Sequence, residues 1–336
     1  MVTLFFCTDI HGSEAVWRKF LNSAKYLKAD TLIMGGDITG KRIVPIVEQA
    51  DGTWKGSIYG VDQQAVIMTT EEEIQDFERR ARFAGCYPYR LTPEQDVELS
   101  SSESITEDNK MIKGGPLDRL FDEVEAGGLQ LWIDQIDDIM PDGTRRVPEG
   151  TRIIICPGND DKFAIDDIIK KDPRVIFGEG LKVDLDDNHE MISYGWTNPT
   201  PWHTYRECGE DEIETKIEEL TPLINNMNNA IFCFHCPPYD SIIDEAPLLN
   251  DDLTYVGFSG GEPIRGPVGC KAVRSAIEKH QPLLGLFGHI HESAGSMKIG
   301  RTYCLNPGSE YTEAILKGFL VELKKGKIKR MQRVES

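Results

Sequence analysis

His289 and His291 stand two residues apart in LFGHIHESAG, directly after the apolar run PLLGLF. Four other apolar runs end in the same manner. LFFCTDIH delivers Asp9 and His11, LIMGGD delivers Asp37, IIICPGND delivers Asn159 and Asp160, and IFCFHC delivers His235. Imidazole, carboxylate and amide groups are the donor types that hold divalent metal ions. Mixed nitrogen and oxygen donors suit Mn, Fe, Co, Ni or Zn better than Mg or Ca, which prefer all-oxygen shells. The set is large enough for two ions. A carboxylate can bridge such a pair, and two ions about 3.5–4 Å apart can deprotonate a water and clamp an in-line displacement at phosphorus. Taken singly, each residue also has a structural reading: Asp9 as a cap near the Ser13 helix, Asn159 as a turn residue, His235 as a satisfied core histidine. The ordered set of five outweighs these.

Short apolar runs alternate with helical patterns along the chain, which is the signature of an α/β fold. VTLFFCTD reads as a strand and SEAVWRKFLNSAKYLK as a helix, with Ser13 at its N-cap and Val16, Phe20, Ala24 and Leu27 on one face. DTLIMGGD is the next strand. Then the rhythm breaks. RIVPIVEQADGTWKGSIYG reads as a hairpin turning at Asp51-Gly52, and EEEIQDFERRARFAG as an amphipathic helix carrying Ile74, Phe77, Ala81 and Ala84. The acidic run 93–108 reads as a solvated loop. LDRLFDEVEAGGLQLWIDQIDDIM is helical in spacing, with Gly127-Gly128 expected to kink or split it. Residues 41–147 are therefore expected to be an insertion in a single domain spanning 1–336. The core resumes with the strand TRIIICPGND, the helix DEIETKIEELTPLINNMN, the strand AIFCFHCPP, the helix VGCKAVRSAIEKH and the strand PLLGLFGHIH. RTYCLNPGS and GFLVELKKGKIKRM alternate like antiparallel strands. Ligands of α/β sheets bind beyond the carboxyl ends of strands, so donors scattered in sequence are expected to converge.

The 336 residues carry a net charge of −19. With no basic stripe to offset it, this argues against a large nucleic-acid footprint, disfavours a nuclease, and leaves a small phosphate ester open as partner. The apolar runs fall short of the roughly 20 residues that cross a bilayer, and no basic segment precedes the first of them. No membrane partner and a cytoplasmic location are expected. Of the eight cysteines, Cys7, Cys156 and Cys233 lie inside apolar runs, and the set reads as reduced thiols. Cys233 and Cys236 have C-x-x-C spacing but no second pair to complete a zinc site.

The five motifs, in this order, resemble those of the calcineurin-like metallophosphoesterases: D-x-H, G-D, G-N-H, H and G-H-x-H, here DIH, GGD, GND, FHC and GHIH. The resemblance covers about residues 1–40 and 150–310. It implies a four-layer α/β/β/α sandwich of two mixed β-sheets, with 41–147 as a hairpin and helical elaboration. It implies that Asp9, His11 and His291 ligate one metal, that Asn159, His235 and His289 complete a second, and that Asp37 bridges them. The implied cofactor is a pair of divalent ions, Mn first, with Fe, Zn, Co or Ni as alternatives. The implied reaction is hydrolysis by a metal-bridging hydroxide, with no covalent enzyme intermediate.

One residue departs from the pattern. Asp160 stands where the family usually has a histidine that protonates the leaving group or contacts phosphate. Asn159 and Asp160 are the candidate catalytic residues, although metals near Asp160 would lower its pKa and weaken it as an acid. The departure favours a phosphodiesterase acting on a small ester or nucleotide. The alternatives are a phosphomonoesterase or nucleotide pyrophosphohydrolase, and a non-catalytic metal-binding scaffold. Residues 41–147 are expected to cap the site or to make a homodimer interface. Outside the set, His203 is a surface histidine or a replacement acid, His189 a turn residue, His280 a helix end, and Arg265 a surface residue or an anion grip.

Overall fold

The computed structural model describes residues 1–58, 60–101 and 113–336. The chain opens with strand β1 (Val2–Cys7), helix α1 (Glu14–Tyr26) and strand β2 (Thr31–Met34). There follow β3 (Ile43–Glu48), β4 (Trp54–Gly56), β5 (Val66–Met68), α2 (Glu71–Phe83), β6 (Tyr87–Leu91), α3 (Pro93–Leu99) and α4 (Pro116–Asp134). Next come β7 (Arg152–Ile155), α5 (Ala164–Lys171), β8 (Ile176–Phe177), β9 (Lys182–Asp186), β10 (His189–Tyr194), α6 (Glu210–Leu220) and β11 (Ala230–Phe234). Two small ribbons pair β12 (Glu245–Pro247) with β15 (Arg265–Pro267), and β13 (Phe258–Ser259) with β14 (Glu262–Pro263). Helix α7 (Lys271–His280) and strands β16 (Leu284–Leu286), β17 (Gly295–Ile299), β18 (Thr302–Asn306), β19 (Lys317–Leu323) and β20 (Ile328–Glu335) close the chain.

Two six-stranded mixed sheets face each other, in the orders β20-β19-β1-β2-β7-β8 and β17-β18-β16-β11-β10-β9. Their centres are parallel: β1 with β2 with β7, and β10 with β11 with β16. Successive side chains on a strand point to opposite faces, and both faces are covered here, so the strands read as unbroken apolar runs. Leu4, Phe6, Ile33 and Ile154 meet Met191, Ile231, Cys233 and Leu286 between the sheets. Phe5, Cys7, Leu32 and Ile155 face outward onto α1, α4 and α5. Ile192, Phe232 and Phe234 face outward onto α6 and α7. This is the four-layer α/β/β/α sandwich. Each fully buried Phe or Ile contributes about 1.5–3 kcal/mol relative to exposure.

Within 41–147, strands β3 to β6 form a four-stranded sheet with a small core of their own, made by Ile46, Met68, Phe77 and neighbours. The hairpin at Asp51-Gly52 forms as expected, with Glu48 paired to Trp54. Helix α4 behaves differently. It joins the helix layer of the first sheet: Trp132 stacks on Trp17 at 5.6 Å, and the Trp17 indole donates to the Trp132 carbonyl at 2.9 Å.

Several expectations require correction. Residues 93–99 are helical rather than looped, because Thr92 and Gln95 form a reciprocal capping box with Pro93 in the first turn. The acidic run from 102 onward lies outside the described residues. Helix α4 runs unbroken through Gly127-Gly128, where a Cβ on residue 128 would approach the Tyr87 ring to 3.0 Å. The helix from 210 stops at Leu220, before Pro222. Strand β18 is antiparallel to β17 but parallel to β16. His189 is a fully buried strand residue: its ring meets Asp186 at 2.8 Å and accepts the Gly326 N–H at 3.1 Å.

Candidate metal centre

The loops after β1, β2, β7, β11 and β16 meet at one edge of the sandwich because those strands are parallel within their sheets. The first two are zipped together by Asp9 N–H to Gly36 O at 2.9 Å and His11 N–H to Asp37 O at 3.0 Å. His235 is tied to Tyr194 and Gly288 by backbone bonds of 2.9 Å each. Asp9, His11, Asp37 and His289 all hold left-handed backbone, with φ of 55, 38, 51 and 65°. Such geometry costs of order 1–3 kcal/mol per residue and persists where the surroundings over-determine it. Two motif glycines permit the close approach. A Cβ on Gly158 would lie 2.3 Å from Asp37 Oδ1, and one on Gly288 would lie 2.4 Å from Asp9 Oδ2.

The donors gather in two separate groups, Asp9 with His11 and His291, and Asp37 with His235 and His289, and a third group, His11 with Asp37 and Asp160, overlaps both. Asp37 Oδ2 lies 3.6 Å from His11 Nε2 and 3.3 Å from His235 Nε2, so it stands between the groups. Its Oδ1 accepts the Asp160 N–H at 2.9 Å. Asp9 Oδ1 lies 3.3 Å from His291 Nε2 and 3.8 Å from His235 Nε2. Asp9, His11, Asp37, Asn159 and His235 form a buried floor, while Asp160, His289 and His291 are partly exposed at the mouth.

Among the described residues, three buried ligand-type atoms at this site have no hydrogen-bond partner: His235 Nε2, His11 Nδ1 and Asn159 Oδ1. His235 Nδ1 meets the Gly35 carbonyl at 3.0 Å, which assigns the Nδ1 proton and turns Nε2 toward the carboxylates. Asn159 Nδ2 donates to Thr204 Oγ1 at 2.8 Å, leaving its carbonyl oxygen bare. Orphaned buried polar atoms are costly. These particular ones beside two carboxylates fit divalent cations in donor type, number and placement.

The charges agree. Burial, then the charge of Lys41, holds the His11 imidazole well below its ordinary pKa, and burial pushes His289 down to about 3. Both rings are thus neutral, as ligation requires. Burial opposes protonation of His235, but the Asp37 and Asp9 carboxylates lift it to about 10 in the metal-free protein. Burial raises Asp37. Burial opposes ionisation of Asp9, yet the hydrogen bond to His291 and the charge of His235 hold it below the carboxylate range.

All eight residues singled out at this site by sequence, Asp9, His11, Asp37, Asn159, Asp160, His235, His289 and His291, stand on these five loops. Sequence reading missed the groups behind them. Asp161 is fully buried and binds backbone on both sides of the site. Glu207 Oε1 takes the Thr204 N–H and hydroxyl at 2.8 and 2.6 Å, and Thr204 in turn orients Asn159. Tyr311 packs on His11 at 4.8 Å, and Lys41 Nζ pairs with Asp160 Oδ2 at 2.6 Å. Asp161 had one signal, adjacency to GND, and Lys41 stands four residues after the aspartate of GGD.

The remaining candidates lie apart. Cys233 packs between the sheets and Cys236 beneath the outer helices, so their spacing brings no pair together, and all eight cysteines are free. His203 is exposed. His280 ends α7 and pairs with Glu218 at 2.8 Å. Arg265 donates to the Glu245 carbonyl at 2.8 Å on an exposed ribbon. Among the described residues, no helix is long and apolar enough to cross a membrane.

No family model matches the chain. The uncharacterized protein MJ1162 of Methanocaldococcus jannaschii is 30% identical over 158 residues, which are 46% of this chain and 63% of that protein. The match therefore leaves over a third of that relative's length unspanned. One solved structure aligns over 98% of both chains at 12% identity with a TM-score of 0.56, a likeness of fold. A novel archaeal phosphodiesterase aligns over 99% of both chains at 10% identity with a TM-score of 0.34. The structure places the five motifs, in their sequence order, at one edge of the sandwich, and it is in these motifs that the chain resembles the calcineurin-like metallophosphoesterases.

Proposed function

We propose that this protein is a calcineurin-like metallophosphoesterase that binds two divalent cations, Mn first among them, and hydrolyses a phosphodiester bond in a small ester or nucleotide. One observation carries the reading: buried donor atoms without partners, His235 Nε2 above all, aimed at the Asp37 and Asp9 carboxylates. Asp9, His11 and His291 would hold one cation, Asn159, His235 and His289 the other, with Asp37 between them. Bound there, the cations would lower the pKa of a water and offset charge on the phosphoryl oxygens. The protein's part is to fix the donors, through Gly35, Thr204 and Asp161, so that little reorganisation accompanies reaction.

The diester preference rests on Asp160. No imidazole stands at that position to protonate a poor leaving group, and the carboxylate is engaged by Lys41. In the same reading the chain is one domain, 1–336, with 41–147 inserted in its sequence and α4 of that stretch packed into the helix layer of the first sheet.

The test is hydrolysis of a chromogenic diester and a chromogenic monoester by metal-stripped protein reloaded with Mn, beside His289→Ala. Diester turnover that is lost in the variant supports the reading. Turnover of the monoester alone replaces it with a phosphomonoesterase. Two bound metals with neither ester turned over by the wild type would count against both and leave a metal-binding scaffold.

A further inference from the structure

Lys41 lies at the mouth of the metal centre, four residues after Asp37, on the loop that leaves β2. Its ammonium meets Asp160 Oδ2 at 2.6 Å, and Asp160 Oδ2 lies 3.7 Å from His11 Nδ1. The backbone beneath both residues is pinned. The Asp160 N–H binds Asp37 Oδ1 at 2.9 Å, and the Gly40 N–H binds the Tyr87 hydroxyl at 2.9 Å. The Lys41 side chain is 45% exposed, while Asp160 is 16% exposed. Lys41 therefore faces the opening, whereas Asp160 lies below it.

An ammonium carries three donors and Asp160 engages only one side of it. The charge of Lys41 reaches inward to Asp37, His11 and His289, and Tyr311 shares its surroundings. The chain as a whole carries −19, so an incoming phosphate ester is repelled except where local cations reverse the field. Metal ions supply part of that reversal on the floor of the site. Lys41 is a fixed cation on its rim.

We propose that Lys41, aimed by Asp160, binds a phosphoryl oxygen of the substrate and so does the anion-holding work of the histidine absent from the GND motif. This deepens the phosphoesterase reading and rests on it. Lys41 would touch substrate; Asp160 would be a positioning residue that acts through it. Ground-state binding of the anion, rather than proton donation, is the contribution expected.

The experiment uses the Mn-reloaded full chain with Lys41→Met, Lys41→Arg, Asp160→Asn and the double variant Lys41→Met/Asp160→Asn. Metal content per chain is measured first, and affinities are compared only between proteins of equal content. Inorganic phosphate is the probe, with its Kd read by calorimetry, alongside kcat and KM on the diester. Loss of one charge-assisted hydrogen bond predicts that Lys41→Met weakens phosphate binding about ten- to a hundredfold and raises KM more than it lowers kcat. Lys41→Arg should recover most of the affinity. Asp160→Asn should weaken binding in the wild-type background and add nothing in the Lys41→Met background, as for residues acting in one unit.

Unchanged phosphate affinity in Lys41→Met at full metal content overturns the proposal. So does a metal-loaded wild type that binds no phosphate. Additive effects of the two substitutions remove Asp160's role in aiming Lys41. Should the wild type turn over neither ester, yet bind phosphate through Lys41, the enzymatic reading fails while the anion site stands.

Discussion

The carboxylate of Asp161 accepts both the backbone N–H and the hydroxyl of Thr39, at 2.9 and 2.7 Å. It also accepts the Ile38 N–H at 3.0 Å and the Gly158 N–H at 2.8 Å. One buried side chain thus clamps the loop of Asp37 to the loop of Asn159 and Asp160. Removing it leaves several buried donors unpaired, and each unpaired donor costs about 1–3 kcal/mol. Asp161→Ala should lower stability by about 3 kcal/mol in urea unfolding and should lower metal content as well. Asp161→Asn, which keeps an acceptor, should fall between. A stable Asp161→Ala with full metal content would show that the clamp is dispensable.

Gly158 offers a test that separates the site from the fold. Its Cβ would lie 2.3 Å from Asp37 Oδ1 and 2.4 Å from the Asp37 nitrogen. Both are backbone or tightly held atoms, so the Asp37 carboxylate must shift. Gly158→Ala should weaken metal binding at least tenfold in a chelator competition, a loss of about 1.4 kcal/mol or more. Equal affinity in wild type and variant would mean that the loop yields without moving Asp37.

The donor loops were legible because β1, β2, β7, β11 and β16 are each covered on their inner face by the opposite sheet and outside by helices or neighbouring strands. Each reads as an apolar run, and its first polar residues are the ligand candidates. What escaped was set by tertiary contact. The run beginning Thr92-Pro93-Glu94-Gln95 looks like a solvated acidic loop by charge, while its capping box makes a helix. Helix α4 looks like part of an insertion by sequence position, while Trp132 belongs with Trp17 in the helix layer of the first sheet. Asp161 and Glu207 are residue types common on surfaces. Only the loops folding over them make them the supports of Asp37 and Asn159.

Glu179 gives the fold a pH dependence of its own. Its Oε2 accepts the Gly195 N–H at 2.7 Å, beside the loop that leads from β10. Burial, against the opposing charge of Arg206, pushes its pKa up from 4.5 to about 8. A carboxyl raised on folding stabilises the folded state fully below its unfolded pKa, and that contribution is lost as pH rises through the folded value. The window therefore runs from about 4.5 to about 8. Glu179→Gln keeps an acceptor for Gly195 and cannot ionise. Its Tm should match the wild type at pH 4.5 and exceed it at pH 8.5. Parallel Tm curves for the two proteins across that range would show that Glu179 ionises at no cost to the fold.

Metal removal should be felt in stability as well as in turnover. Without cations, the Asp37 and Asp9 carboxylates lie 3.3 and 3.8 Å from His235 Nε2, and Asp37 is held partly by the charge of His235. In the proposed reading a cation would replace that arrangement with direct ligation and would bind only the folded chain. At a hundred times its Kd, such a ligand stabilises by about 2.7 kcal/mol. Excess Mn should therefore raise the Tm of the stripped wild type by several degrees, and chelator should reverse the rise. Asp37→Asn loses one charge and the stronger of its two donor characters. Its stripped form should be at least as stable as the stripped wild type, because the repulsion with Asp9 is relieved, while most of the Mn-dependent increment should vanish. Binding should also be proton-linked: His235 carries a proton below about pH 10 in the stripped protein, and ligation must displace it. Mn affinity should then rise with pH between 6 and 9, with proton release detectable as a buffer-dependent heat in calorimetry. A pH-independent affinity would mean that Nε2 of His235 is not a ligand.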